Sequence, residues 1–151
     1  MATYSLEEFR DGDQYPLVRM WRESFEFGVG IKDPHSIEDQ VAYFEREVRP
    51  NNHVRVARDS QLILGFIASN AESVAQLYVR VGYHRCGIGS RLLALAQAES
   101  SGQLWLFTFA RNARACAFYE HHGFTVVQRG FEPTWHLEDV KYSWSRAANA
   151  D

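Results

Sequence analysis

The hydrophobic residues in the first third of the chain recur at helical spacing. Leu17, Met20 and Trp21, with the small Ser24, fall on one face of a predicted helix, and Pro16 suits its first turn. The segment 37–48 (IEDQVAYFEREV) predicts a second helix, for which Ser36 is the expected N-cap.

The middle of the chain changes to strand-like apolar runs. HVRVAR (53–58) and LILGFIA (62–68) predict a hairpin that turns at Asp59 and Ser60, and SVAQLYVRV (73–81) predicts a third strand. A glycine turn follows, and then a predicted helix with one apolar face made of Ile88, Leu92, Leu95 and Ala96.

The last third of the chain alternates between strands and a helix. LWLFTFA (104–110) is apolar on both faces, which is typical of a buried central strand. NARACAFYEHH (112–122) predicts a helix that Gly123 ends as a left-handed C′ residue. FTVVQ (124–128) and VKYSW (140–144) predict the final strands, so the whole order indicates a mixed α/β domain.

Composition and charge narrow the function classes. The 151 residues suit a single domain spanning 1–151, and a net charge of -3 gives no general basic field for nucleic acid. Cys86 and Cys116 match no metal spacing and are expected to be free thiols of a reducing compartment. No leader or membrane-length apolar run is visible, so we expect a cytoplasmic protein without membrane or nucleic-acid partners.

The stretch YHRCGIGSRLLALAQ (83–97) holds the most informative motif. A glycine turn between a strand and a helix N-terminus offers backbone N–H groups to an anion such as phosphate. The P-loop pattern G-x-x-x-x-G-K-S/T fails because Ile88 and Gly89 stand where Lys and Ser/Thr are needed. A dinucleotide fingerprint starting at Gly87 fails at Leu92, and a simple tight turn is the alternative.

Two motifs together resemble the GNAT superfamily of N-acetyltransferases. LYVRVGYHRCGIGSRLL is similar to the family's strand, V-x-P-x-Y, Q/R-x-x-G-x-G/A and helix, and NARACAFYEHHGF is similar to its second signature, N-x-x-A-x-x-F-Y-x-x-x-G-F. The resemblance implies an α/β (α+β) GNAT fold, with a mixed, mostly antiparallel central sheet of about six to seven strands flanked by helices on both faces.

The resemblance also implies acetyl-CoA as the acetyl donor, with no metal. The pyrophosphate would lie on backbone amides of the glycine turn, and the pantetheine would follow the edge of the preceding strand. The implied cofactor-binding residues are Leu77, Tyr78, Val79, His84, Arg85, Cys86, Gly87, Ile88, Gly89, Ser90, Asn112 and Phe118.

Two positions depart from the family pattern. His84 replaces the usual Gln or Arg, and Val81 replaces the usual Pro. Because backbone N–H groups make most of the pyrophosphate contact, we expect His84 to weaken binding or make it pH-sensitive rather than to abolish it.

The transfer chemistry needs a proton donor for the departing thiolate. Asn112, Ala115 and Tyr119 share one helix face, which makes Tyr119 the candidate acid, with a half-buried core aromatic as the alternative. A backbone N–H near Val79 could stabilise the oxyanion. No base is evident: Gln76 stands where some relatives carry a glutamate, and Glu23, Glu26 and Glu72 could act only through water.

The acceptor is expected to be a primary amine, favouring a small molecule. Residues 20–50 combine acidic and aromatic side chains, and a later loop adds Phe131, Glu132, Trp135 and His136, as would suit a cationic ligand. A protein N-terminus or lysine is an alternative acceptor, and a non-catalytic acyl-CoA sensor of the same fold is an alternative function. A homodimer is possible by analogy with relatives.

Overall fold

The computed structural model describes residues 3–147. The strands and helices, in chain order, are β1 Ser5–Glu8, α1 Gln14–Val29, α2 Ile37–Tyr43, β2 His53–Asp59, β3 Leu62–Ser69, β4 Val74–Val79, α3 Ile88–Glu99, β5 Gln103–Phe109, α4 Ala113–His121, β6 Thr125–Glu132 and β7 Leu137–Ser145. A π-helical turn (Phe44–Val48) and a 3-10 turn (Arg49–Asn51) extend α2.

The strands form two antiparallel sheets, in the orders β1-β2-β3-β4 and β5-β7-β6. A single parallel bridge between Ser73 and Trp105 joins them, so the predicted mixed and mostly antiparallel architecture is confirmed. Side chains of β3 alternate between two cores. Leu64 and Ile67 pack in the cluster that includes α3, whereas Ile63 and Phe66 pack in the cluster that includes α1. Burial on both faces explains why this strand is almost continuously apolar.

Two element ends lie where local residue types predicted them. The Ser36 hydroxyl accepts the N–H of Asp39 at 3.0 Å, which caps α2. Gly123 follows α4 with φ +86°, the left-handed conformation expected of a C′ residue.

The prediction that 104–110 is buried on both faces is wrong. Leu104 and Leu106 are buried against the cluster containing α4, but Trp105 is 41% exposed and Phe107 53% exposed. β5 is an edge strand of its sheet, and the Lys141 ammonium lies 5.0 and 5.8 Å from the centroids of the two exposed rings. The Lys141 cation lies over this apolar face, where a strand buried on both faces would have a second packed layer.

The sequence pattern did not predict β1. Its four residues are mostly polar, and tertiary pairing holds it on β2, with Ser5 opposite Arg58. The buried Arg58 side chain binds Glu7 of β1 at 3.0 Å and the buried Asp13 before α1 at 2.7 Å. Burial opposes ionisation of Asp13, but the hydrogen bonds from Arg58 and from the Arg10 N–H hold the pKa of that carboxyl below its usual value.

The candidate site lies where β4 and β5 diverge. The two strands begin side by side, where the Trp105 N–H donates to the Glu72 carbonyl at 3.0 Å. Within residues 3–147 no pairing of β4 with β5 is found beyond that point: β4 pairs with β3, β5 pairs with β7, and each is an edge strand of its sheet. The ends of β4 and β5 therefore separate and leave their facing edges open.

Candidate functional site

A cleft of about 540 Å³ lies between the separated strands. Its walls come from five elements and from the glycine turn that leads into α3. They comprise residues 74–79 of β4, 106–108 of β5, Ser24, Phe27 and Gly28 of α1, His84, Arg85 and Gly87 of the turn, Gly89 and Ser90 of α3, and Asn112, Arg114, Ala115, Phe118 and Tyr119 at α4.

The edge of β4 presents main-chain groups to this cleft. The Arg80 N–H donates to the Leu64 carbonyl on β3 at 2.7 Å. Because hydrogen-bonded residues alternate along an antiparallel ladder, the N–H and C=O groups of Val79 and Leu77 point away from β3. The Val79 carbonyl accepts the buried Ser24 hydroxyl at 2.8 Å, which leaves the Val79 N–H as a donor facing the cleft.

The glycine turn forms one end of the cleft. Gly87 has φ +77° and occupies the N-cap position of α3, with no side-chain cap. The first intrahelical bond runs from the Arg91 N–H to the Gly87 carbonyl, so the N–H groups of the first turn remain for a ligand. A Cβ at Gly89 would lie 3.3 Å from the Phe118 ring, so Gly89 allows α4 to approach α3 closely.

Three side chains meet at the mouth of the cleft. The His84 ring stacks on Phe27 with centroids 6.0 Å apart, and the Arg114 guanidinium carbon lies 5.4 Å from the Phe27 centroid. Burial lowers the pKa of His84, and the Arg114 charge lowers it further. His84 is therefore neutral at pH 7, and Arg85 and Arg114 supply the positive charge of the cleft wall.

Asn112 joins α4 to α1 beside the cleft. Its side-chain oxygen accepts the Ala115 N–H at 3.2 Å, which caps α4. A Cβ at Gly28 would lie only 2.7 Å from the Asn112 amide nitrogen. Gly28 therefore provides the space that the Asn112 side chain occupies. Because the capping bond uses the side-chain oxygen, the amide NH₂ group is what Asn112 has left to donate.

Tyr119 lies on the cleft wall and is also part of the core. It is 7% exposed, and its ring packs against Phe118, Phe124 and Tyr142. Burial raises the pKa of the phenol, and the neighbouring Tyr78 and Cys116 raise it further. Burial likewise raises the pKa of Tyr78 to about 12. Both phenols therefore stay protonated around neutral pH.

All but two of the residues predicted for the site line the cleft. Ile88 is fully buried in the core that contains α3, so only its backbone N–H can serve a ligand. The Cys86 side chain is exposed, and its carbonyl accepts the Tyr4 hydroxyl at 3.5 Å. The sequence placed Phe27 among the aromatic residues of the expected acceptor groove but gave no role in the site to Ser24, Gly28 or Arg114. Helical periodicity assigns a residue to a face of its helix but not to a partner across the fold.

The three candidate base carboxylates lie outside the cleft lining. Glu26 accepts the Asp33 N–H at 2.8 Å and lies 3.9 Å from Arg22, while Glu23 and Glu72 are exposed. Among residues 3–147, no residue that lines the cleft has a carboxylate side chain.

Aromatic side chains connect the predicted acceptor loop to the cleft. Trp135 packs against Phe25 and Phe109, with centroids 5.0 and 6.5 Å away, and these two neighbour the cleft residues Ser24 and Thr108 in sequence. Glu132 accepts the Trp135 N–H at 2.6 Å. Phe131 is 62% exposed and packs against His136 instead.

Two further properties concern metals and membranes. Across residues 3–147, no group of three or more His, Cys, Asp or Glu side chains is arranged to hold a metal ion. None of the helices in that range is long and apolar enough to cross a bilayer.

Comparison with known proteins gives one family and many similar folds. Residues 50–126 match the sequence model of a family described as "Acetyltransferase (GNAT) domain". The apo form of YjaB from Escherichia coli is similar with a TM-score of 0.77 at 18% identity, covering 95% of this chain and 98% of that one. A search of curated protein sequences returned no match.

Two crystal structures show the same fold. The PaiA N-acetyltransferase from Thermoplasma acidophilum, in complex with coenzyme A, has a TM-score of 0.76 at 18% identity and covers 95% of this chain and 99% of that one. An acetyltransferase from Thermus thermophilus has a TM-score of 0.75 at 20% identity, covering 95% and 97%.

Proposed function

Because the chain belongs to the GNAT family of acetyltransferases, which use acetyl-CoA, we propose that it transfers an acetyl group directly to a primary amine of a small molecule. Transfer occurs within a ternary complex of protein, acetyl-CoA and amine. The observation that carries this proposal is the open edge of β4 facing the open edge of β5, with the uncapped N-terminus of α3 at one end.

The donor binds mainly through main-chain groups. Its pyrophosphate lies on the N–H groups between His84 and Ser90, where the positive end of the α3 dipole adds to the charge of Arg85 and Arg114. Its pantetheine amides hydrogen-bond with the edge groups of Leu77, as another strand would, and the Val79 N–H is left for the thioester oxygen. The Asn112 amide donates to the same arm.

The reaction exchanges a carbon–sulfur bond for a carbon–nitrogen bond. The amine nitrogen attacks the thioester carbon, and the Val79 N–H stabilises the oxyanion that forms. As the carbon–sulfur bond breaks, Tyr119 donates its hydroxyl proton toward the departing sulfur. The proton lost by the amine passes to solvent, and the phenol is reprotonated from solvent, so the products are an acetamide and free CoA thiol.

Two other functions use the same fold. A non-catalytic acyl-CoA sensor would need the cleft and the glycine turn but not the Tyr119 hydroxyl. A protein N-terminal or lysine acetyltransferase would need an open channel for a peptide at the acceptor side. Trp135 packs on Phe25 and Phe109 beside that side, and such a cluster of aromatic rings suits a small cationic amine, which favours a small molecule.

Calorimetric titration of the protein with acetyl-CoA tests the donor first, with ATP and NADH as controls. We expect binding of acetyl-CoA alone. Failure of acetyl-CoA to bind, or equal binding of ATP, would contradict the proposal.

Tyr119→Phe then separates an enzyme from a sensor. We expect kcat for thiol release to fall about 100-fold, a typical effect for loss of a catalytic acid, while the Kd for acetyl-CoA changes less than about twofold. Tyr142→Phe is the matched control, because this buried phenol donates to Glu120 at 2.6 Å and does not line the cleft. Equal activity of wild type and Tyr119→Phe would remove Tyr119 from the mechanism.

A further inference from the structure

Ser24 connects α1 to the edge of β4 through a side-chain hydrogen bond. It is 6% exposed, it lines the cleft, and its hydroxyl donates to the Val79 carbonyl at 2.8 Å. The mechanism above uses the Val79 N–H and does not use this hydroxyl.

The hydrogen bond to Val79 determines what Ser24 can bind. A serine hydroxyl has one hydrogen and two acceptor lone pairs. Its hydrogen is committed to the Val79 carbonyl, so any further partner of the oxygen in the cleft must be a hydrogen-bond donor. The thioester oxygen and sulfur of the donor substrate are acceptors only, and its pantetheine amides are expected on the backbone edge at Leu77. The nitrogen of a primary amine, in contrast, has N–H groups to donate to Ser24.

Ser24 lies next to the place that the thioester carbon would occupy during the reaction. In a β-strand, the N–H and C=O of one residue point to the same side. The Val79 N–H, which is the proposed oxyanion donor, therefore opens on the same edge as the carbonyl that holds Ser24. An amine bound to the Ser24 oxygen lies beside the thioester carbon that the Val79 N–H activates.

We propose that the Ser24 hydroxyl binds the N–H of the acceptor amine and orients its nitrogen lone pair toward the thioester carbon. This inference rests on the proposed function and specifies the acceptor as an amine with at least one N–H. The carbonyl oxygen holds the hydroxyl in a single orientation, so little rotational freedom is lost when the amine binds.

The experiment compares Ser24→Ala and Ser24→Cys with wild type, using the primary amine that gives the fastest thiol release with the wild-type protein. We expect the KM for that amine to rise at least about tenfold in both variants, the loss typical of one hydrogen bond, because alanine has no acceptor and a thiol is a weak one. The Kd for acetyl-CoA should change less than about twofold. Ser24→Thr, which keeps the hydroxyl, should restore most of the amine affinity.

Ser73→Ala is the matched control. Ser73 is also a buried serine beside β4, but its hydroxyl binds Asn70 and it does not line the cleft. Its amine KM should equal that of wild type.

Several outcomes would overturn the inference. One is an unchanged amine KM in Ser24→Ala or Ser24→Cys. Another is a loss confined to the melting temperature or to the Kd for acetyl-CoA, which would make Ser24 only a link between α1 and β4. If wild type itself binds no acetyl-CoA or releases no thiol with any amine, the proposed function fails instead.

Discussion

At the scale of single residues, hydrogen bonds within the protein determine whether each polar group of the site can still donate or accept one. The Asn112 oxygen is used by the Ala115 N–H, so its amide can only donate. The Ser24 hydrogen is used by Val79, so its oxygen can only accept. The sequence motif predicted Asn112 as a site residue, but no pattern along the chain could predict the partner of Ser24, which lies 55 positions away.

His84 is expected to affect stability at low pH more than donor binding at neutral pH. Since its pKa is lowered in the folded chain, the unfolded chain takes up the proton more readily. Neutral His84 therefore contributes stability above the ordinary pKa of 6.5, and that stability is lost as the pH falls through the lower, folded value.

His84→Gln tests this expectation. The melting temperature of the variant relative to wild type should increase as the pH falls from about 7.5 to 5.5, across the range in which histidine titrates. The Kd for acetyl-CoA at pH 7.5 should change less than about threefold, because backbone N–H groups make most of the contact. A constant difference in melting temperature across this range would show that His84 does not titrate in it.

At the scale of elements, side chains decide which strands form and how closely helices approach. The helices and the β2–β3 hairpin follow from local periodicity and turn residues. Local patterns do not predict β1, because this strand depends on the distant Arg58. They also do not predict the exposed face of β5, because its two rings contact Lys141 of β7. Local sequence does not contain those pairings.

Gly28 sets the distance between α1 and α4, so its substitution should damage the site more than the fold. In Gly28→Ala, the new Cβ displaces Asn112 from the Ala115 N–H, at a cost of about 1 kcal/mol for a lost cap. Alanine in place of glycine in a helix offsets this by up to about 1 kcal/mol. We expect a small change in melting temperature but about tenfold weaker binding of acetyl-CoA, the effect of about one lost hydrogen bond.

Asn112→Asp provides the comparison for Gly28→Ala. Aspartate keeps a capping oxygen for Ala115 but has no amide hydrogen for the donor substrate. It should therefore also weaken acetyl-CoA binding while keeping the stability of α4. Calorimetry and thermal melts of both variants measure the two effects separately, and normal acetyl-CoA affinity in both would remove Asn112 from the donor site.

At the scale of the whole molecule, the cleft surrounds the reaction with few groups that could remove a proton. No carboxylate side chain lines it within residues 3–147, and the pKa of His84 is lowered. We therefore expect the amine to enter from solution in its neutral form. An alkylamine with a pKa near 10.4 is only about one part in 2,500 neutral at pH 7.

The pH dependence of kcat/KM should accordingly follow the pKa of the acceptor amine rather than the pKa of a group in the protein. We expect kcat/KM for an alkylamine to rise about tenfold per pH unit below the pKa of the amine, since the neutral fraction rises by that factor. An arylamine of low pKa should give a flat profile over the same range. Initial rates of thiol release for both amines provide the measurement, and one shared limb at the same pH for both would instead reveal an enzymic base.

The open edge of β4 has a consequence for how such a protein changes over evolutionary time. A peptide N–H belongs to the repeating backbone, so replacing the side chain at Leu77 or Val79 does not delete it. Structures can therefore differ from this chain at about four residues in five, as the 18–20% identities above show, and still share its backbone fold. Ser24 and Trp135, in contrast, can each be lost by one substitution. We therefore expect proteins of this architecture to keep the acetyl donor more readily than they keep a particular acceptor.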